Sequence, residues 1–170
     1  MYTVRTIEPS EWKAYRSIRL RALAEAPDAF GSTLAAEAVC TESHWQERLS
    51  LAATSGRDLP IFAVAAADPV GLAWGKAYAV DPAKVDLFQM WVDPECRKQG
   101  VGSLLLNHVV RWARARNADW LCLGVTCGDT PAYRLYTRTG FVAVGGSEPL
   151  REGSPIQLQP MRLALRAGFT

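Results

Sequence analysis

The sequence predicts a mixed α+β fold, with a central, largely antiparallel sheet of about six or seven strands flanked by about four helices. Two observations support this prediction. Strand-like and helix-like segments are interspersed along the chain in the order β-α-α-β-β-β-α-β-α-β-β. One strand-helix-strand unit lies near the centre, and such a unit makes its two strands parallel with a right-handed crossover.

The N-terminal part of the chain predicts one strand and two helices. Alternation in Tyr2–Ile7 predicts the strand. A helix follows with Ser10 as its N-cap and ends before Pro27. The stretch PDAFGST then predicts a loop, because it contains Pro and Gly. The second helix begins near Thr41 or Ser43 and continues through HWQERLSLAA.

The middle of the chain predicts three strands. The runs Leu59–Ala67 and Val70–Val80 are separated by Asp68 and Pro69, which predicts a hairpin that turns at this dipeptide. Lys84–Val92 predicts the next strand.

The C-terminal part begins with an amphipathic helix. Its apolar face is predicted from residues at i, i+3, i+4, i+7, i+8 and i+11, namely Val101, Leu104, Leu105, His108, Val109 and Trp112. The run DWLCLGVTC predicts a buried strand between Asn117 and Gly128. PAYRLYTRT predicts a short helix that ends at Gly140. FVAVGG and PIQLQPMRLAL predict the last two strands.

Length and composition favour one domain over residues 1–170, located in the cytoplasm. The net charge of +2 gives no reason to expect nucleic acid as a partner. The four cysteines form no C-x-x-C pair, and the chain has two histidines, so we expect no metal site. The N-terminus has no signal-peptide core, and no apolar run approaches the ~20 residues that span a bilayer, so we expect no membrane partner.

The stretch RKQGVG lies between the strand Lys84–Val92 and the amphipathic helix. Glycines let backbone amides approach a ligand, and the first amides of a helix have no partner inside it. The helix dipole adds partial positive charge there, so this junction predicts an anion site. A tight turn without a ligand would explain the two glycines equally well.

Two segments of the chain match known motifs. VDPECRKQGVGSLLL resembles the acetyl-CoA signature [QR]-x-x-G-x-[GA] of the GNAT superfamily of N-acetyltransferases, with Arg97, Gly100 and Gly102 at its defined positions. GDTPAYRLYTRTGF resembles the second signature, N-x-x-A-x-x-L-Y-x-x-x-G-F, although Asp129 stands where the family commonly has Asn. The resemblance implies the GNAT-like fold, in which two parallel strands splay apart.

The resemblance also implies acetyl-CoA as co-substrate and assigns residues to it. The pantetheine arm would follow the backbone of one splayed strand, and the diphosphate would lie on the amides that begin the helix. The implied cofactor-binding residues are Met90, Trp91, Val92, Arg97, Lys98, Gln99, Gly100, Val101, Gly102, Ser103, Asp129 and Tyr136.

The catalytic residues implied by the resemblance are an acid and a base. Tyr136 would protonate the departing thiolate. Many relatives carry a Glu at the position of Gly124, so this chain needs another base, and Asp86, acting through water, is our first candidate. For Asp86, a solvated carboxylate at a strand edge is an equally simple interpretation.

The acceptor is expected to be a primary amine of a small molecule or a peptide. The loop between the two N-terminal helices would shape its pocket, with Phe30 as an apolar wall and Asp28 and Glu37 as acidic contacts. Glu25 in the same region could also attract a cationic amine. A CoA-binding sensor or interaction module without turnover stays open as an alternative, and so does a homodimer.

Overall fold

The computed structural model describes residues 1–168, which fold around one central sheet. Within these residues the strands are β1 Tyr2–Thr6, β2 Asp58–Ala65, β3 Asp68–Ala77, β4 Lys84–Val92, β5 Trp120–Thr126, β6 Val142–Ala143, β7 Glu148–Pro149 and β8 Gln157–Ala164. The α-helices are α1 Trp12–Glu25, α2 Leu34–Ala38, α3 Glu42–Ser55, α4 Val101–Ala115 and α5 Pro131–Thr139. The strand order is β1-β2-β3-β4-β5-β8-β6, with β7 also paired to β8. The predicted mixed α+β class is therefore confirmed.

Helices cover both faces of the sheet, and each face has its own core. Successive residues of β2 belong to different cores. Ile61 is part of the core beneath α4, and Phe62 is part of the core beneath α1 and α3. The second core contains the fully buried rings of Tyr15 and Trp45, whose centroids are 5.6 Å apart. Burial of this much apolar surface is the main force that holds the helices on the sheet.

Helix α4 is amphipathic, as predicted, but its buried stripe is rotated by about one residue. Val101, Leu105 and Val109 are buried as expected. Leu104 is 40% exposed, and the stripe continues through Leu106, Val110 and Ala113 instead. The sheet on which α4 packs decides which flank of the apolar face is covered.

Two local predictions were wrong, and one short helix was not predicted. Ser10 is not an N-cap, because it lies inside a 3₁₀ turn over Pro9–Glu11 that precedes α1. The hairpin turns at Ala66 and Ala67, with φ of 47° and 84°, while Asp68 and Pro69 already pair with β2. The predicted loop contains a 3₁₀ turn over Pro27–Ala29 and is followed by α2, whose N-cap Thr33 accepts a hydrogen bond from Ala36 N (3.2 Å).

Strands β4 and β5 are the parallel pair, and they stay together only at one end. Lys84–Asp86 pairs with Trp120–Cys122, and beyond Asp86 the two strands separate. At the point of separation the β3–β4 register shifts, and Gln89 adopts a left-handed φ of 55°. A bulge of this kind bends its strand. The bend in β4 therefore opens a gap between two neighbouring strands.

Within residues 1–168, no helix combines the length and the apolar character needed to cross a bilayer.

Candidate active site

A cavity of about 1480 Å³ runs through the gap between β4 and β5. At one end it reaches the turn that begins α4, and at the other it reaches α1, α2 and α3. Its lining includes many of the residues predicted from sequence, namely Asp28, Phe30, Glu37, Met90, Trp91, Val92, Arg97, Lys98, Gly100, Gly102, Ser103 and Tyr136. Four predicted residues, Asp86, Gln99, Val101 and Asp129, have no side chain in this lining.

The turn that begins α4 has the backbone geometry of an anion site. Lys98 and Gly100 have left-handed φ values of 61° and 84°. The amides of Val101, Gly102 and Ser103 begin the helix, so no helical carbonyl is available to them. Gly100, Gly102 and Ser103 line this end of the cavity, where the positive end of the helix dipole also lies.

The two positions of this turn require glycine for different structural reasons. A Cβ on Gly100 would have no atom within 4 Å, so Gly100 is required by its backbone conformation and leaves open space above it. A Cβ on Gly102 would lie 3.2 Å from Leu135 Cδ2 and 3.7 Å from Met90 Cε. Gly102 therefore allows α4 to pack closely against α5 and β4.

Two polar side chains of the turn are engaged by the protein itself. Arg97 Nε donates to the carbonyl oxygen of Val92 (2.9 Å), and its Nη2 donates to Glu25 Oε2 (2.6 Å). Gln99 accepts a hydrogen bond from the Tyr2 hydroxyl (2.7 Å) and donates to a backbone carbonyl, so its side chain points toward β1. Arg97 thus fixes the end of β4 to the turn.

Three other residues predicted to contact the cofactor have their side chains engaged elsewhere. Val101 is buried in the core and is not among the residues that line the cavity. Asp129 is mostly exposed and forms an ion pair with Arg134 (3.5 Å). Trp91 packs its ring beneath α1, where its Nε1 donates to Glu25 Oε2 (2.9 Å). The side chain of Trp91 therefore has a packing role, and its backbone lies along the gap.

Tyr136 lies on α5 and lines the cavity. It is 6% exposed, and its ring contacts Phe141 with centroids 5.6 Å apart. No hydrogen bond to its hydroxyl is found among residues 1–168. Burial raises the pKa of Tyr136 well above its usual range, so the phenol is protonated at neutral pH. The cavity therefore contains a protonated, unpaired hydroxyl.

The end of the cavity near α1, α2 and α3 contains a polar cluster that the sequence does not predict. Glu37 is bound by Arg19 Nη2 (2.8 Å) and by Arg48 Nη1 (3.1 Å). Arg48 Nη1 also donates to the Tyr15 hydroxyl (3.3 Å), which in turn donates to Gln89 Oε1 (2.9 Å). We call these five residues the polar floor. They connect all three N-terminal helices to the bulge of β4.

The charge of Glu37 is compensated inside this floor. Burial acts to raise the pKa of Glu37, but the hydrogen bonds and charges of Arg19 and Arg48 outweigh burial, so the pKa lies below its ordinary value. Phe30 lines the cavity, and its ring centroid lies 4.8 Å from the Arg19 guanidinium carbon. Asp28 is exposed, and its backbone oxygen accepts from Thr126 Oγ1 (2.6 Å).

Asp86 lies just beyond the cavity. Its carboxylate accepts a hydrogen bond from the Tyr78 hydroxyl (2.7 Å) and pairs with Lys84 (3.2 Å). It is directly opposite Lys76 on β3 and two residues before Phe88, and both of these line the cavity. A proton from the cavity would therefore need water to reach Asp86.

Two signals for the polar floor were present in the sequence. Arg19 lies four residues from Tyr15 and four from Leu23, which puts a cation on the buried face of α1. Gln89 interrupts an apolar strand. Pairing these residues with each other requires the tertiary structure. Among the described residues no group of His, Cys, Asp and Glu has the arrangement of a metal site.

Comparison with known proteins gives matches at the levels of family and fold. The model described as "Acetyltransferase (GNAT) family" matches residues 19–141. The streptothricin acetyltransferase of Streptomyces lavendulae is 32% identical over 78 residues, which are 46% of this chain and 41% of that protein. The match therefore spans less than half the length of that relative.

Two solved structures share the fold over nearly the full chain. A GNAT-family acetyltransferase of Streptococcus pneumoniae superimposes with a TM-score of 0.82 at 24% identity, covering 96% of this chain and 99% of that one. A putative acetyltransferase of Salmonella typhimurium, solved with its cofactor acetyl-CoA, has a TM-score of 0.80 at 16% identity, covering 100% and 97%. At these identities the likeness concerns the fold alone.

Proposed function

The chain belongs to the acetyltransferase (GNAT) family, and we propose that it moves the acetyl group of acetyl-CoA to a primary amine of a small molecule or peptide. One observation carries this proposal. A single cavity is lined by the turn that begins α4, by Tyr136 and by residues of the polar floor. A long cofactor and an amine acceptor can therefore meet in the gap between β4 and β5.

The cofactor would be held mainly by backbone groups. The amides from Lys98 to Ser103 would receive the diphosphate at the N-terminus of α4. The backbone of Met90–Val92, freed from β5 by the bulge, would hydrogen-bond to the pantetheine arm as a neighbouring strand would. Since these contacts use main-chain atoms, the side chains of Met90 and Trp91 can serve packing instead.

When bound, acetyl-CoA supplies an activated acetyl thioester. A backbone N–H near Trp91 or Val92 would stabilise the negative charge that develops on the carbonyl oxygen. Tyr136 would give its proton to the sulfur as the carbon–sulfur bond breaks and the amine nitrogen gains the acetyl carbon. A thiolate is ordinarily a weaker base than a phenolate, but the same burial that raises the pKa of Tyr136 disfavours a charged thiolate.

The amine must also lose a proton, and we propose Asp86 as the group that takes it through water. Its position directly beyond Lys76 and Phe88 supports this role. Gly124 leaves no carboxylate on β5, and a Cβ there would already lie 3.1 Å from Leu158 Cδ1. The acidic side chain of Glu37 is occupied by two arginines and is therefore a weak base.

The test is release of free thiol from acetyl-CoA with a panel of amines, comparing Tyr136→Phe with the parent. Tyr133→Phe is a matched control, because Tyr133 is three residues away on α5 and outside the cavity lining. We expect Tyr136→Phe to lower turnover by roughly 100-fold, with CoA affinity kept. If the parent binds CoA but releases no thiol with any amine, the chain is a CoA-binding module.

A further inference from the structure

We propose that the amine acceptor also carries a carboxylate, which is bound by the side-chain amide of Gln89 above the positively charged polar floor. This inference rests on the proposed function and names the substrate class of the same site. It makes an amino-acid-like acceptor the expected substrate, rather than a polyamine or another purely cationic amine.

The orientation of the Gln89 amide follows from the hydrogen-bond chain beneath it. Arg48 can only donate, so the Tyr15 oxygen accepts from it (3.3 Å). The Tyr15 hydroxyl keeps its own hydrogen to donate, and the structure assigns the amide atom at 2.9 Å as its acceptor, the oxygen Oε1 of Gln89. Burial raises the pKa of Tyr15, so this hydroxyl keeps its proton. The Nε2 group of Gln89 is therefore left as a donor.

This donor is free and lies in the cavity. No hydrogen bond from Gln89 Nε2 is found among residues 1–168, although the residue lines the cavity. Gln89 also has a left-handed φ of 55° at the place where β4 leaves β5. A non-glycine residue in this region is strained, and such strain is kept where it serves a site. Gln89 directly precedes the strand segment proposed to hold the thioester.

The polar floor carries more positive than negative charge. Arg19 and Arg48 face one carboxylate, that of Glu37. Arg19 is 3% exposed, and its Nη1 has no hydrogen-bond partner among the described residues. Since Nη1 is shielded from solvent, we assign the direct contact to Gln89. The arginines supply a positive potential, which solvent screens least around Arg19, the more deeply buried of the two.

Neighbouring charges do not reverse this potential. Asp58 is neutralised by Lys76 (3.4 Å) and accepts from Trp74 Nε1 (2.9 Å). Glu25 is occupied by Arg97 at the cofactor end. Asp28 is exposed to solvent, where its charge is screened. Of the six cations in the lining, Arg97 and Lys98 lie at the cofactor end and Arg138 on α5, so the positive potential at this end comes from Arg19 and Arg48. An anionic group on the acceptor would be attracted to these two arginines, whose combined charge exceeds that of Glu37.

The first experiment measures the pH-independent kcat/KM of the parent for sets of matched amines. Each set contains an α-amino acid, its primary amide, its methyl ester and the amine without the carboxyl group. We expect the free acid to be preferred over its amide and its decarboxylated amine by about tenfold or more, since the acid alone gains a hydrogen bond to a charged group, which is among the stronger kinds. Equal rates across a set, or a preference for the decarboxylated amine, would overturn the inference.

The second experiment repeats these sets with Gln89→Glu and Tyr15→Phe. Gln89→Glu keeps an acceptor for Tyr15 but replaces the free donor with a repelling carboxylate, so the preference for the acid should disappear. Tyr15→Phe frees the amide to rotate, so the preference should weaken while CoA affinity is kept. Gln46 is an exposed residue of α3 outside the cavity lining. Gln46→Glu makes the same chemical change there, and the enzyme should keep its preference for the free acid.

The outcomes separate this inference from the function on which it rests. If no amine releases thiol, the proposed acetyl transfer fails. If amines react but the carboxylate has no effect in the parent, acetyl transfer stands and the carboxylate inference is wrong. If the parent prefers the acid and Gln89→Glu, folded by its melting curve, keeps that preference, Gln89 is not the contact and the inference is also wrong.

Discussion

Replacing Gly100 by Val tests whether the turn before α4 holds the cofactor. Gly100 has φ of 84°, and a Cβ there would meet no atom within 4 Å. The substitution therefore causes no collision inside the protein. Its two expected effects are backbone strain and intrusion into the open space where we place the diphosphate.

The size of both effects can be estimated. A side chain in the left-handed region costs roughly 1–2 kcal/mol. A chain of this size loses about 2–4 °C of Tm for each kcal/mol, so the melting temperature should fall by several degrees. Each hydrogen bond to a charged group contributes about 1.5–3 kcal/mol, so loss of one amide contact should weaken CoA binding by roughly 10- to 100-fold.

A matched control separates strain from cofactor binding. Gly153 has φ of 73°, and a Cβ there would also meet nothing within 4 Å, but it lies outside the cavity lining. Gly153→Val should lower Tm as Gly100→Val does and leave CoA affinity unchanged in calorimetry. If Gly100→Val folds and binds CoA as tightly as the parent, the diphosphate is not on this turn and the reasoning is refuted.

Three further predictions concern the proposed chemistry and the polar floor. Tyr136→Phe should reduce kcat by roughly 100-fold while CoA affinity is kept; unchanged kcat in a thiol-release assay would exclude the acid role. Asp86→Asn should lower kcat/KM and move the rising limb of its pH profile toward the pKa of the acceptor amine; an unchanged profile would exclude Asp86 as the base. Glu37→Gln should destabilise the protein by roughly 3–5 kcal/mol in urea unfolding, because buried Arg19 and half-buried Arg48 lose the carboxylate that they share. The pKa of Glu37 is lower in the folded protein than in the unfolded chain, so its contribution is complete above about pH 5 and is lost as the pH falls through the folded pKa. Stability that declines with acid equally in Glu37→Gln and in the parent would contradict this.

The elements that the sequence predicts well are those governed by local patterns. Thr41 caps α3, since its side chain accepts from His44 N (3.2 Å), and Gly140 ends α5 with φ of 108°. These features depend on residues close together in the chain, so their chemistry is visible in the sequence. The α5 boundary also fixes where Tyr136 lies.

The wrong predictions share a different physical cause. Ala66 and Ala67 carry no turn chemistry, and their left-handed conformation is imposed by the pairing of β2 with β3. Asp68 and Pro69 look like turn residues but continue the ladder. The pairing of β2 with β3 along their whole length outweighs the turn preference of two residues. This outcome cannot be read from the residues near the turn alone.

The acceptor end could not be predicted for a related reason. The Tyr15–Gln89 hydrogen bond joins residues 74 positions apart, and the Arg19–Glu37 pair spans 18. We expected Glu37 to face a cationic amine. In the structure Arg19 and Arg48 compensate its charge, and no pattern in the sequence indicates these two ion pairs. Such pairings become visible only when the helices are packed on the sheet.

A crystal structure of the protein with bound CoA is the most direct test of the central claim. The claim predicts the diphosphate on the amides of Lys98–Ser103 and the sulfur within hydrogen-bonding distance of the Tyr136 hydroxyl, with the arm along Met90–Val92. A diphosphate bound away from the start of α4, or a sulfur remote from Tyr136, would contradict it.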